Sequence, residues 1–177
     1  SLHPHQPVLV EEAVSLLFTN KHGIYLDGTV GFGGHSEKIL KKLSQNGALI
    51  GLDLDPYALE YTKKRLSKIQ QNYSLYQKNY REYSQLLQKL EIEKLTGILL
   101  DLGSSSSQIN TGHRGFSFQK DAPLNMRFNP KDKPSATEYL NQSSLHEIEN
   151  TIKKFGEERN YKKIALSIYK AARKNRM

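Results

Sequence analysis

The sequence predicts an α/β fold built on a parallel sheet, and three observations predict it. Short apolar runs alternate with stretches of helical period, the order that builds βαβ units. Three of those runs lead into an aspartate, at Asp27, Asp53 and Asp101. A glycine-rich turn, Gly28 to Gly34, joins the first run to the helix that follows it.

The elements follow in order. Pro7 to Phe18 reads as a helix, with Val8, Leu9, Ala13, Leu16 and Leu17 able to share a face. Ile24-Tyr25-Leu26-Asp27 is a short strand. His35 to Leu43 reads as a helix with Ile39, Leu40 and Leu43 inward. Ala48 to Asp53 is a second strand, and Asp55-Pro56 opens another helix, since proline suits a first helical turn. Tyr73 to Gln77 is a third strand and Tyr83 to Leu90 a helix. Gly97 to Leu102 is the most apolar strand and is expected at the centre of the sheet. From Gly103 to Pro134 no period is visible, and a loop that long in a compact domain is usually functional or disordered. Helices alone follow, at Ala136–Leu140, Leu145–Phe155 and Glu158–Arg173.

Parallel open sheets bind ligands at the carboxyl ends of their strands, so the three aspartates are expected along one rim. The turn Asp27-Gly28-Thr29-Val30-Gly31-Phe32-Gly33-Gly34-His35-Ser36 lets the backbone approach a ligand closely. Asp53 follows Gly34 by nineteen residues at the end of the next strand, where an acid accepts from both hydroxyls of an adenosine ribose. Together these point to an adenosine-containing cofactor; the alternative is a tight structural turn followed by a helix-capping acid. An NAD site favours a third glycine inside the helix, where Ser36 stands here. An acid at Asp27 suits the cationic end of S-adenosylmethionine better than a pyrophosphate, so the local pattern leans to S-adenosylmethionine.

Composition narrows the classes further. The chain has 177 residues, with 26 Lys and Arg against 18 Asp and Glu, a net charge of +8. Between Thr151 and Met177 stand nine Lys or Arg and two Glu, so most of the excess lies in the last helical stretch. A basic excess suits a polyanion such as nucleic acid, and also suits a merely solvated basic face. The absence of cysteine excludes disulfides and thiolate metal sites and fits a cytoplasmic protein. The six histidines show no metal-binding spacing, so no metal is expected. No apolar run is long enough to span a membrane.

Three further stretches carry a resemblance: Asp101-Leu102-Gly103-Ser104-Ser105-Ser106-Ser107-Gln108, Arg114-Gly115-Phe116-Ser117-Phe118, and Ala122-Pro123-Leu124-Asn125-Met126-Arg127. With His5-Gln6-Pro7-Val8-Leu9, the glycine turn, Asp53-Leu54-Asp55-Pro56 and Phe155-Gly156-Glu157-Glu158, they resemble the bacterial 16S ribosomal RNA cytosine-N4 methyltransferases (RsmH, or MraW) over nearly the whole chain. The resemblance implies a Rossmann-like, S-adenosylmethionine-dependent methyltransferase sheet and a small helical substrate-recognition region. It implies cofactor contacts at Gly33, Gly34, His35, Asp53, Tyr80, Asp101 and Gln108, with the Tyr80 ring able to stack on adenine. It implies a catalytic set of Asp101, Ser105, Asn125 and Arg127. The implied substrate is the exocyclic N4 amine of a cytosine in 16S ribosomal RNA, free or in the small ribosomal subunit.

Two departures stand out. The family carries Asp where this chain has Asn125, which keeps an acceptor oxygen, loses the charge and adds a donor. Family members also continue past the point where this chain stops, so its sheet is expected to be incomplete at the C-terminal edge. The expected organisation is a cofactor-binding core over residues 1–103, a long active-site loop over 104–134 and the start of a helical recognition region over 135–177. Phe116 and Phe118 are expected either to stack on a flipped base or to anchor the loop, and Arg114 and Arg127 to hold phosphates. Residues 111–121 are expected to order only over that base. Two rival readings are an RNA- and cofactor-binding module whose catalysis is impaired by Asn125, and an NAD-dependent oxidoreductase, for which no hydride-accepting arrangement is found.

Overall fold

The structure is a computed structural model that describes residues 9–69, 71–103, 109, 114–119 and 121–174. The chain divides into two units, Ser1–Ser105 and Ser106–Met177.

The first unit is a three-layer α/β sandwich. Its elements are α1 (Val10–Leu17), β1 (Ile24–Asp27), α2 (Gly34–Lys42), β2 (Ala48–Asp53), α3 (Pro56–Leu66), β3 (Asn72–Gln77), a 3₁₀ turn at Tyr80–Glu82, α4 (Tyr83–Lys89) and β4 (Gly97–Leu99). The four strands lie in the order β3-β2-β1-β4, and every neighbouring pair is parallel. The register sets Asp27 beside Gly51 on one side and beside Leu99 on the other. The order reverses at β1, which makes the gap between the carboxyl ends of β1 and β4 the switch point of the sheet.

Each sheet face is sealed by its own apolar cluster, which follows from the two-residue side-chain alternation of a strand. Tyr25, Leu49 and Leu99 pack with Val14, Ile39, Leu40, Leu43 and Leu66, the inward residues of α1, α2 and α3. Leu26, Ile50 and Leu52 pack with Leu86 of α4. The buried Tyr25 hydroxyl is fully matched: it accepts from the Thr19 and Asn20 amides at 3.0 and 2.9 Å and donates to the Asn20 carbonyl at 3.0 Å.

Two expectations are corrected here. The apolar strand expected at the centre is an edge among the described strands, and it ends at Leu99, two residues before Asp101. The inward face of α1 is Val10, Ala13, Val14 and Leu17. Leu16 is 84% exposed, because the helix begins at Val10 and its phase turns Leu16 outward. Val8 lies outside the described residues.

The second unit contains α5 (Ala136–Gln142), α6 (Leu145–Gly156) and α7 (Tyr161–Ala172). Ser135 and Ser144 begin α5 and α6 with reciprocal capping boxes to Glu138 and Glu147, which satisfy backbone donors otherwise left open at a helix start. Ile148, Ala165 and Ala172 are buried within this unit. Arg173, expected in a free basic face, donates to the carbonyls of Asn141 and Ser143 and lies over the Tyr169 ring. It is a strap between helix ends, whereas Lys162, Lys163 and Lys174 stay exposed.

Leu49→Ala removes a fully buried side chain and should lower stability by about 2–5 kcal/mol. Leu16→Ala at an exposed helix position should change it by less than about 0.5 kcal/mol. Urea denaturation of both variants checks the assignment of the α1 face; comparable losses would overturn it.

Candidate functional site

The turn between β1 and α2 is built by groups that lie far from it in sequence. Asp27 ends β1 and is 1% exposed. Its Oδ2 accepts from the Ser36 hydroxyl at 2.6 Å, and its Oδ1 from the Thr29 amide at 3.2 Å. Asp53 ends β2, and its Oδ2 accepts from the Gly31 amide at 2.7 Å while its Oδ1 accepts from the Asp55 amide at 2.9 Å. Thr62, buried on α3, donates from its hydroxyl to the Gly31 carbonyl at 2.8 Å. The Val30 amide bonds the Leu52 carbonyl, and the Gly28 amide bonds the Leu99 carbonyl. The turn is therefore tied to β1, β2, α3 and the end of β4 at once.

Gly33 stands before the first turn of α2 with φ +75°, and a Cβ there would lie 2.7 Å from Thr62 Cγ2. Both the left-handed backbone and the contact demand glycine. At Gly28 the demand is close approach: a Cβ would meet Leu100 Cδ2 at 2.5 Å and Tyr80 Cβ at 3.1 Å. Beside Gly31 nothing but the Thr29 carbonyl, 4.0 Å away, would meet a side chain, so bare backbone borders open space.

The structure thus brings most of the expected rim together. Gly33, Gly34 and His35 form the turn and the start of α2, with His35 buried. Tyr80 is half-buried next to Gly28, held by the 3₁₀ turn that Asn79 and Glu82 cap. Asp101 is exposed, and its amide donates to the Thr29 hydroxyl at 2.7 Å, which fixes the chain leaving β4 to the same turn. Ser105 and Gln108 lie outside the described residues. Asn125 and Arg127 belong to the second unit, where Asn125 Oδ1 accepts from Arg127 Nε at 2.9 Å. Among the described residues no group of His, Asp and Glu is placed to hold a metal, and no helix is long and apolar enough to cross a membrane.

Asp27 was expected to face the cationic end of a cofactor. It is instead sealed beneath the turn, and its work is to hold Ser36 and Thr29. Ser36 and Thr62 carry the turn without standing out in the sequence, because Thr62 reaches Gly31 only once α3 has packed on the sheet. The two phenylalanines divide. Phe116 is half-buried against Phe128, with ring centroids 5.5 Å apart, whereas Phe118 is 99% exposed. Residues 111–113 and 120 of the stretch expected to order over a base lie outside the described residues.

A parallel sheet with a glycine turn at its switch point and carboxylates along its rim defines a Rossmann-like fold of the methyltransferase kind. The chain belongs to the MraW methylase family, whose model matches residues 2–177. It is 43% identical over 169 residues to a protein of Caldicellulosiruptor saccharolyticus named ribosomal RNA small subunit methyltransferase H, covering 96% of this chain and 55% of that one. A protein of the same name from Trichlorobacter lovleyi is 46% identical over 164 residues, covering 93% of this chain and 52% of that one. Another, from Clostridium botulinum, is 42% identical over 171 residues, covering 97% and 55%. The chain spans about half the length of the curated relatives it matches.

Burial raises the pKa of both Asp27 and Asp53 above the ordinary aspartate value. For Asp27, desolvation outweighs the Ser36 and Thr29 hydrogen bonds; for Asp53 it outweighs those from Asp55 and Gly31. A carboxyl whose pKa is higher folded than unfolded binds its proton more tightly in the folded state. Its contribution is therefore present in acid and is lost as pH rises from the ordinary aspartate pKa through the raised one. Asp27→Asn cannot ionise, so its stability relative to the parent chain should improve as pH rises through that interval. Melting curves from acid to neutral pH test this; a stability difference independent of pH would overturn it.

Proposed function

We propose that the protein is an S-adenosylmethionine-dependent methyltransferase acting on the exocyclic N4 amine of a cytosine in 16S ribosomal RNA. The observation that carries the cofactor is the Asp53 carboxylate, held beside bare Gly31 backbone at the carboxyl rim of the sheet. Family membership and the name shared by the curated relatives support the methyl transfer and the small-subunit RNA substrate.

The rim fits an adenosine cofactor. Asp53 Oδ1 and Oδ2 each accept one backbone hydrogen bond and keep further lone pairs for ribose hydroxyls. The half-buried Tyr80 ring supplies an apolar surface for a purine. Gly33, Gly34 and His35 lie along the turn that borders the methionine end, and Gln108 completes the set. When bound, S-adenosylmethionine supplies an electrophilic methyl group on a sulfonium.

The substrate amine is a poor nucleophile, because its lone pair is delocalised into the cytosine ring. Asp101, exposed just past β4 and pinned through its amide to Thr29, is placed to accept from that amine and aim its lone pair. Orientation of this kind contributes up to about 7–11 kcal/mol in favourable cases. As the N4–carbon bond forms and the carbon–sulfur bond breaks, the sulfonium becomes a neutral thioether, and the amine proton passes to Asp101 or to solvent. Ser105 stands in the same loop on the amine side, and Asn125 and Arg127 act on the RNA side. Residues 1–103 bind cofactor, 104–134 form the active-site loop, and 135–177 begin the RNA-recognition region. The base must leave its stack to reach the rim, and the exposed Phe118 ring is free to receive it, whereas Phe116 anchors the loop on Phe128. Such an enzyme works in the cytoplasm, where ribosomes are assembled.

Asp53→Ala removes a charged acceptor and should weaken S-adenosylmethionine binding by about 1.5–3 kcal/mol. Isothermal titration of the folded variant measures this, and unchanged affinity would remove Asp53 from the ribose. Phe118→Ala should reduce transfer of tritiated methyl from S-adenosylmethionine to small-subunit RNA while leaving cofactor affinity intact. An equal fall in both would end the stacking role.

A further inference from the structure

Arg127 is half-buried in the second unit and held in one orientation. Its Nε donates to Asn125 Oδ1 at 2.9 Å, and its Nη1 donates to the Asp132 carbonyl at 3.0 Å. The Asn125 oxygen also accepts from the Arg127 amide at 3.2 Å. The surrounding main chain is fixed as firmly. The Asn125 amide bonds the Pro123 carbonyl, and the Ala136 amide at the start of α5 bonds the Asn125 carbonyl. Arg114 Nη2 donates to the carbonyls of Arg127 and Phe128 at 2.9 and 2.8 Å.

Every acceptor that orients the Arg127 guanidinium is neutral. Among the described residues no carboxylate lies within ion-pairing distance of it. Glu138 feels its charge, but the Glu138 carboxylate accepts from the Ser135 amide at 2.7 Å as part of the α5 cap. A guanidinium has five N–H donors, and two of them are engaged by these contacts. The remainder form a planar, immobilised edge that carries a full positive charge. A structural arginine half-withdrawn from water is ordinarily matched by an acid, since the Coulomb attraction offsets lost hydration. Here the fold immobilises the cation and leaves it uncompensated, the arrangement that suits an anion arriving from outside. A fixed fork matches two oxygens of a phosphate.

We propose that Arg127 binds a phosphodiester of the RNA substrate, and that Asn125 is the positioning residue that aims it without neutralising it. The proposal rests on the RNA reading above and deepens it. Because Asn125 is an amide, the contact orients the guanidinium and leaves its charge for the phosphate. A carboxylate at the same point would hold the same geometry and compete with the phosphate.

Fluorescence anisotropy of the chain with a short cytidine-containing single-stranded RNA, repeated over a salt series, tests this. Arg127→Gln should weaken binding about tenfold at low salt and flatten the log–log salt dependence by about 0.7, the value of one phosphate contact on a single strand. Arg127→Lys should retain the salt dependence but lose affinity, because a point charge lacks the fork. Asn125→Asp should keep the parent melting temperature and S-adenosylmethionine affinity and yet weaken RNA binding and flatten its salt dependence. A purely structural Arg127 would leave the salt dependence of all three variants at the parent value, and that result overturns the proposal while the RNA reading stands. If the parent chain shows no salt-dependent RNA binding, the RNA reading fails and this proposal fails with it.

Discussion

Two carboxylates, placed at the ends of adjacent parallel strands and turned inward on one glycine turn, hold the first unit in its working form. Asp27 bonds the turn from below through Ser36 and Thr29, and Asp53 bonds it from the side through the Gly31 amide. Neither bond would form if β1 and β2 slipped in register by one residue, since each side chain would then leave from the opposite face of the sheet. The apolar clusters on the two faces set that register, and the register delivers the acids. Burial makes both groups resist ionisation, so the turn is held by contacts that are costly to form in isolation and become favourable only inside the packed domain.

The same turn links the rim residues to one another. Thr29 accepts from the Asp101 amide, Gly28 admits Tyr80 and Leu100 at close range, and Gly33 leaves room for Thr62. A change at any of these positions is therefore felt along the rim. This is the form of preorganisation a transfer reaction needs: the reacting groups must be aligned before they meet, and backbone bonds fix alignment more firmly than mobile side chains do.

The second unit solves a different problem with the same means. Its loop offers few apolar residues, so its order comes from polar bonding to the main chain: Arg114 to the Arg127 and Phe128 carbonyls, Asn125 to Arg127, and Thr137 to the Leu124 carbonyl. Only Phe116 and Phe128 add an apolar contact between rings. Such a loop can present charge and an exposed ring because neither is needed to hold it together.

The sequence by itself determined the order and type of the elements, the inward residues Ile39, Leu40 and Leu43 of α2, and the grouping of Gly33, Gly34, His35, Asp53 and Tyr80 about one rim. These are local properties: an apolar run of strand length, a helical period and a glycine cluster each declare themselves within a few residues. The phase of α1 was not legible, since Val10, Ala13, Val14 and Leu17 compete with Leu9 and Leu16 for the same helical period, and the start of the helix decides between them. Nor was the place of β4, because apolar content reports that a strand is buried on its faces and says nothing of which strands pair with its edges. Tertiary structure alone decided that Asp27 lies beneath the turn, that Thr62 bonds a carbonyl 31 residues before it, that Arg173 straps two helix ends, and that Arg127 is oriented without an acid. Each of these is fixed by a bond between residues brought together by packing, and a side chain's partner depends on which surfaces meet when the layers close.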